Sequence, residues 1–181
     1  MPEPSGPQWC ARFPTSVSPN DLLPPFRARV VAFISAMERS GAMVSIAATY
    51  RPPERAYLMH WCCMIADSGQ DPAAVPPMPG VDIDWSHDGN GSESRAAARA
   101  MKSAYAIKFP AALTSRHTQR RAIDMTISWL GALRITDFNG QERVIAMPPR
   151  SGSNQVLVDV GRSFNVIKLM TDPPHWSDDG H

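Results

Sequence analysis

The sequence has few cysteines, no long apolar run and no excess of charge of either sign. Its only cysteines are Cys10, Cys62 and Cys63, an odd number without the Cys-x-x-Cys spacing of cysteine zinc sites. This pattern excludes a disulfide framework, and we expect free, buried thiols at Cys62 and Cys63. No apolar stretch approaches the ~18 residues that a membrane-spanning helix requires, so no membrane insertion is expected.

The charge is nearly balanced, with 18 basic and 17 acidic residues and a net charge of +1. Such a chain exerts no long-range attraction on nucleic acid or on an anionic membrane, so neither is expected as a partner. The first residues have neither the basic region nor the apolar core of a Sec signal peptide. We therefore expect synthesis in the cytoplasm, and a substrate outside the membrane would require delivery by other machinery.

Proline, by contrast, is abundant, with 18 residues whose clusters mark loops and helix starts. Between these clusters, the spacing of apolar residues predicts helices and short strands. The predicted helices are 25–40, 53–68, 93–107 and 154–164. The predicted strands are 43–49, 122–129, 133–137, 143–147 and 166–170. An Asn-Gly pair at 139–140 is typical of a hairpin turn between two of these strands.

The order of the elements, with helices mostly first and strands mostly later, favours an α+β fold over a doubly wound parallel sheet. Residues 1–20 are rich in proline and serine and are predicted to form an N-terminal arm. A single domain is predicted over residues 21–181, which is long enough to bury a core without disulfides.

One segment places a histidine and a carboxylate seven residues apart, at His117 and Asp124. On a straight helix this spacing separates the Cα atoms by about 10 Å, which is too far for one tetrahedral zinc ion. The segment must therefore turn between the two residues. Because residues 122–127 alternate in polarity like a strand, we expect Asp124 on that strand and His117 on the loop before it.

A second segment places Asp172 and His175 on either side of two prolines. The prolines exclude an α-helical pair and favour polyproline II, whose three residues per turn would point both side chains to the same side. Two neutral imidazoles and one carboxylate give zinc three protein ligands and leave one position open for water, as in catalytic sites. A nearby carboxylate can accept a proton from that water.

These residues belong to three short blocks that follow one another along the chain. Residues 48–51 are Ala-Thr-Tyr-Arg, residues 115–124 are Ser-Arg-His-Thr-Gln-Arg-Arg-Ala-Ile-Asp, and residues 172–176 are Asp-Pro-Pro-His-Trp. In this order they resemble the Ser-Gly-Tyr-Arg, Ser-x-His-x-x-Gly-x-Ala-x-Asp and Glu/Asp-x-x-His motifs of the zinc DD-peptidase family. This family includes D-Ala-D-Ala carboxypeptidases, D-Ala-D-Ala dipeptidases and phage endolysins that are L-alanyl-D-glutamate endopeptidases.

The resemblance implies a DD-peptidase/Hedgehog-like fold, in which a small, mostly antiparallel sheet carries the zinc site and about three to four helices pack to one side. It implies Zn²⁺ bound by His117, Asp124 and His175. Asp172 would be the general base, and Arg51 would orient the substrate or stabilise its oxyanion.

Ser115, Arg120 and Trp176 are predicted to contact the substrate. Arg120 departs from the family, which has glycine there, so either the loop between the ligands takes a different backbone path or Arg120 adds a substrate contact. Asp172 replaces the more common glutamate. An aspartate base is similar to the L-Ala-D-Glu endopeptidases, whereas tryptophan after the histidine is similar to the D-Ala-D-Ala enzymes. The identity of the cleaved bond therefore stays open.

The expected activity is hydrolysis of a peptide bond in the stem peptide or cross-link of bacterial peptidoglycan, in the cell wall or periplasm. The N-terminal sequence suits a phage endolysin or an antibacterial toxin delivered by a secretion system, and a toxin would have a cognate immunity protein as partner. The alternative is a zinc-containing module that binds peptidoglycan without cleaving it. The presence of Asp172 favours the enzyme.

Overall fold

The computed structural model describes residues 1–181 and has an α+β architecture. Its helices are α1 (Phe26–Arg39), α2 (Pro53–Asp67), α3 (Gly91–Ala104) and α4 (Gln155–Ser163). Its strands are β1 (Glu3–Pro4), β2 (Met43–Ala48), β3 (Ile83–Asp84), β4 (Ala122–Ser128), β5 (Leu133–Thr136), β6 (Glu142–Ile145), β7 (Ile167–Lys168) and β8 (His175–Ser177). None of the helices combines the length and apolar character that crossing a bilayer requires.

All of the predicted helices and strands form, with ends that shift by a few residues. The shift at α3 has a clear cause, since the side chain of Asn90 accepts hydrogen bonds from the N–H groups of Ser92 and Glu93. Asn90 is therefore the N-cap, and the helix begins earlier than predicted. The hairpin of β5 and β6 is confirmed, with Gly140 at a φ of 81° in its turn.

Residues 1–15 and 51–118 form one compact unit. Helices α2 and α3 pack together here, and the short strands β1 and β3 pair in parallel. Trp9, near the start of the chain, is buried in this unit's core. The prediction of free, buried thiols at Cys62 and Cys63 is confirmed, and burial raises the pKa of both thiols.

Residues 16–50 and 119–181 form a second compact unit. Its four-stranded antiparallel sheet has the order β2-β4-β8-β7, and its core includes side chains of α1 and α4. Trp176 of β8 is fully buried in that core, with its ring centroid 5.4 Å from that of Phe33. Gly161 of α4 lies against it so closely that an added Cβ would come within 2.6 Å of the indole. Strand β8, which the sequence did not predict, is thus anchored by its central residue.

Candidate metal centre

The sheet of the second unit brings Asp124 and His175 side by side. In the antiparallel pairing of β4 with β8, Asp124 lies directly opposite His175. Residues paired in this way have Cβ atoms about 4.5–5.5 Å apart. Accordingly, Nδ1 of His175 lies 3.1 Å from Oδ1 of Asp124. The prediction that Asp124 lies on a strand is confirmed, and the strand register sets the position of the two side chains.

His117 lies in the turn that precedes β4. The turn is closed by Thr118, whose Oγ1 accepts a hydrogen bond from the N–H of Ser115 and donates one to the Ser115 carbonyl, both at 2.9 Å. The carbonyl oxygen of His117 accepts a hydrogen bond from the N–H of Arg51 at 3.2 Å. The predicted turn between His117 and Asp124 is therefore confirmed.

The three predicted ligands form one group that could bind a metal ion. One nitrogen from each of His117 and His175 and one carboxylate oxygen of Asp124 all lie within 4.8 Å of one another. Ligand atoms around tetrahedral zinc lie about 3.3 Å apart, given bonds of ~2.0–2.1 Å. The 3.1 Å between His175 and Asp124 is close to this value, and both histidines are buried. The three side chains could therefore hold a metal ion.

The second ring nitrogen of His175 has its own partner. Nε2 lies 3.1 Å from the main-chain oxygen of His181, which can only accept a hydrogen bond. Nε2 therefore carries a hydrogen, and in the neutral ring Nδ1 keeps the lone pair that a cation needs. The oxygen is held in place because residues 177–181 turn back, with Oγ of Ser177 accepting a hydrogen bond from the N–H of Gly180 at 2.8 Å.

Several groups act on the charge of His175. Burial lowers the pKa of the imidazole, but the hydrogen bond to Asp124, the charge of that carboxylate, the His181 oxygen and the charge of Asp172 together raise it above its ordinary value. In the metal-free protein, both ring nitrogens can donate to oxygen atoms, and this arrangement stabilises the imidazolium.

We expect the metal-free protein to lose stability as the pH rises through the raised pKa of His175. Because the pKa of His175 in the folded protein lies above its unfolded value of about 6.5, protonation of the ring stabilises the fold. This contribution is fully present below the unfolded pKa and disappears as the pH rises through the folded-state pKa. We therefore expect thermal denaturation with chelator present to show a difference in melting temperature between wild type and His175→Gln, and this gap should shrink as the pH increases. His60→Gln, outside the metal group, is the control and shows how much stability is lost when a histidine elsewhere is replaced. A gap that stays constant with pH would contradict the expectation.

Asp172 lies in a turn and not in the predicted polyproline II segment. The N–H of His175 donates to the Asp172 carbonyl at 3.0 Å, whereas polyproline II has no internal hydrogen bonds. This prediction was wrong because His175 starts β8, and the chain must turn sharply between β7 and β8. The Asp172 side chain is exposed, and its charge acts on both His175 and Lys168. The carboxylate is thus open to solvent, and its charge reaches the metal group.

Sequence reasoning missed Lys168, which is only 5% exposed. Its Nζ donates hydrogen bonds to the main-chain oxygens of Leu169, Asp172 and His175 at 2.8, 2.6 and 3.1 Å. Burial lowers the pKa of the ammonium, and the charges of Asp172 and Asp124 oppose that effect. The only signal in the sequence is a lone lysine within the apolar run of residues 166–170.

Arg120 stands where the family motif has glycine, and it keeps the backbone conformation that glycine favours, with a φ of 61°. Its carbonyl accepts a hydrogen bond from the N–H of Leu23 at 3.0 Å. Its guanidinium lies over the ring of Tyr50, with Cζ 4.6 Å from the centroid, and Nη2 lies 4.0 Å from Asp21. These contacts explain how arginine is accommodated, while a contact with substrate stays a prediction.

We expect Arg120→Gly to change the free energy of unfolding by less than about 1 kcal/mol, because relief of the left-handed conformation offsets the lost Tyr50 contact. Arg120→Val loses the same contact and places a β-branched residue at positive φ, so it should destabilise by about 1–3 kcal/mol. Urea denaturation of both variants measures the difference. Equal destabilisation would mean that the side-chain contacts, and not the backbone conformation, determine the residue at this position.

The other predicted site residues have different surroundings. The substrate contact predicted for Trp176 needs correction, because the residue is 0% exposed and its ring packs in the core. Ser115 shapes the turn that carries His117, and its role toward substrate stays a prediction. Arg51 is partly exposed and joined to His117 through its main chain, and its proposed role also stays a prediction.

A scan against protein-family models, a search of curated proteins and a search of solved structures each found no match to this chain.

Proposed function

We propose that this protein is a zinc-dependent peptidase that hydrolyses a peptide bond in bacterial peptidoglycan. The observation that carries the proposal is the group formed by His117, Asp124 and His175, whose ligand atoms lie within 4.8 Å of one another. An exposed carboxylate, Asp172, acts electrostatically on one of these ligands. Metal-assisted hydrolysis requires at least a metal site and a base next to it.

The donor set favours zinc as the metal. Two imidazoles and one carboxylate are characteristic ligands of catalytic zinc, and three protein ligands leave one position open. When bound, zinc supplies Lewis acidity that polarises a carbonyl and lowers the pKa of water toward ~7. The Nε2 hydrogen bond of His175 to the His181 oxygen holds the ring with Nδ1 toward Asp124, which prepares the ligand for a cation.

Asp172 is the proposed general base. One of its carboxylate oxygens accepts a proton from the attacking water and later delivers it to the nitrogen of the leaving amine. Its exposure allows it to meet both water and substrate. Arg51 is proposed to orient the peptide carbonyl, and its main-chain bond to His117 ties it to the turn that carries this ligand.

The α+β architecture and the antiparallel sheet that carries Asp124 and His175 support placing the protein in the zinc DD-peptidase family with a Hedgehog-like fold. The order of the three motif blocks supports the same assignment. The proposed substrate is therefore the peptide part of peptidoglycan, met in the cell wall or periplasm. The protein is proposed to reach the cell wall in one of two ways. It is delivered by a secretion system, in which case it has an immunity protein as partner, or it is released during phage lysis.

Mass spectrometry of muropeptides after digestion of purified peptidoglycan tests the function. Zinc-loaded wild type should produce new peptide termini, and their masses distinguish D-Ala-D-Ala, D-Ala-diaminopimelate and L-Ala-D-Glu cleavage. Chelator-treated protein and His117→Ala are the matched negative controls. Unchanged muropeptides combined with sedimentation on peptidoglycan would identify a binding module and overturn the peptidase.

A further inference from the structure

The segment between β7 and β8 carries both the proposed base and one proposed metal ligand. Three main-chain hydrogen bonds close it: the N–H of Asp172 donates to Leu169, that of His175 to Asp172, and that of Leu169 to His175, at 3.3, 3.0 and 3.1 Å. Each of the three carbonyl oxygens therefore already accepts one N–H. Each oxygen keeps a second lone pair for another donor.

The ammonium of Lys168 supplies that second donor to all three oxygens, at 2.8, 2.6 and 3.1 Å. An ammonium has three N–H groups, so these contacts use its full hydrogen-bonding capacity. The three oxygens converge on one point, where their partial negative charges would repel one another without a cation. The aromatic ring of Trp176 also lies near this ammonium, with its centroid 5.5 Å from Nζ.

Burying a lysine here is costly compared with burying an apolar side chain. Methionine or leucine could fill a similar volume in this apolar run, but neither could satisfy the three oxygens. The lysine is therefore explained by the segment that it binds, and that segment contains Asp172 and His175. The main chain of both residues is fixed to one charged atom.

We propose that Lys168 is a positioning residue that holds Asp172 and His175 in one rigid segment, so that base and metal ligand keep a fixed relative position. This inference rests on the proposed function for the role of Asp172, but its effect on metal binding does not require that the protein cleaves peptidoglycan. Lys168 acts through the main chain and touches neither substrate nor metal.

The test compares Lys168→Met with Lys168→Arg in the full chain. Affinity for Zn²⁺ alone is measured by competition with a chromophoric chelator, and kcat and KM are measured on peptidoglycan fragments. Lys168→Met should bind Zn²⁺ about 10- to 100-fold more weakly, as expected for the loss of an outer-shell contact to a ligand. It should also lower kcat more than it raises KM, because the base moves while substrate contacts stay. Lys168→Arg, which keeps a buried cation with several N–H groups, should restore part of both losses.

Ile135→Val, in the core of the same unit but in the β5–β6 hairpin, is the stability control and should bind Zn²⁺ like wild type. If Lys168→Met fails to fold, Lys168→Gln, which keeps two N–H donors, takes its place in the same measurements. Wild-type affinity and kcat in the folded variant would overturn the inference. A wild type that binds Zn²⁺ but cleaves nothing would overturn the peptidase alone, because the loss of affinity in Lys168→Met would still support the positioning role.

Discussion

Replacing His117 by alanine is expected to remove most of the metal from a protein that otherwise binds about one zinc ion per chain. The variant loses one of three protein ligands, so the affinity should fall by more than the ~10- to 100-fold typical of an outer-shell contact. The fold should survive, because Thr118 and Ser115 close the turn around His117 through their own hydrogen bonds. Metal analysis after dialysis against buffer of known free zinc measures the loss.

His60→Ala is the matched control, because His60 lies on α2 and its ring bonds the carbonyl of Ala111, outside the metal group. It should retain the metal content of wild type. Wild-type protein without metal, or His117→Ala with full metal content, would overturn both the metal site and the proposed enzyme.

Replacing Asp172 by alanine is expected to leave metal binding nearly intact and to lower turnover by about 10²- to 10⁴-fold, the usual contribution of a general base. Metal binding and turnover can be separated because the hydrogen bonds of Asp172 with Lys168 and with His175 are made by its main-chain oxygen. Alanine keeps that oxygen and removes only the carboxylate. Zinc content and the rate of muropeptide release, measured on the same preparation, give both results.

Asp159→Ala is the control for loss of an acidic side chain, since Asp159 lies on α4 and pairs with Arg162. Its turnover should equal that of wild type. Normal digestion by Asp172→Ala would show that another group accepts the proton, and loss of zinc in that variant would show that the carboxylate serves the metal instead.

The placement of His117 in a turn and of Asp124 on a strand could be predicted from the sequence because the signals for both are local. The interval between His117 and Asp124 requires a turn, and the alternation after residue 121 indicates a strand. The structure contains both features. The Asn-Gly hairpin and the helices were predictable for the same reason, since caps, turns and apolar spacing act within a few residues.

The features that sequence reasoning missed depend on contacts between distant segments. The register that places Asp124 opposite His175 joins positions far apart in the chain, and no local pattern specifies it. The three oxygens around Lys168 converge only once β7 and β8 are paired. The polyproline II prediction failed because strand pairing outweighed the local preference of two prolines.

The pairing of Asp124 with His175 has a consequence for how long the folded protein persists. A metal ion held by both residues would bridge β4 and β8 across their main-chain pairing, so unfolding would have to release it. A ligand that binds only the folded state raises the free energy of unfolding by about 4 kcal/mol when its free concentration is a thousand times its dissociation constant. Resistance to heat and to proteolysis would then follow the free metal concentration of the surroundings. Lowering the free metal concentration would therefore shorten the lifetime of the folded protein.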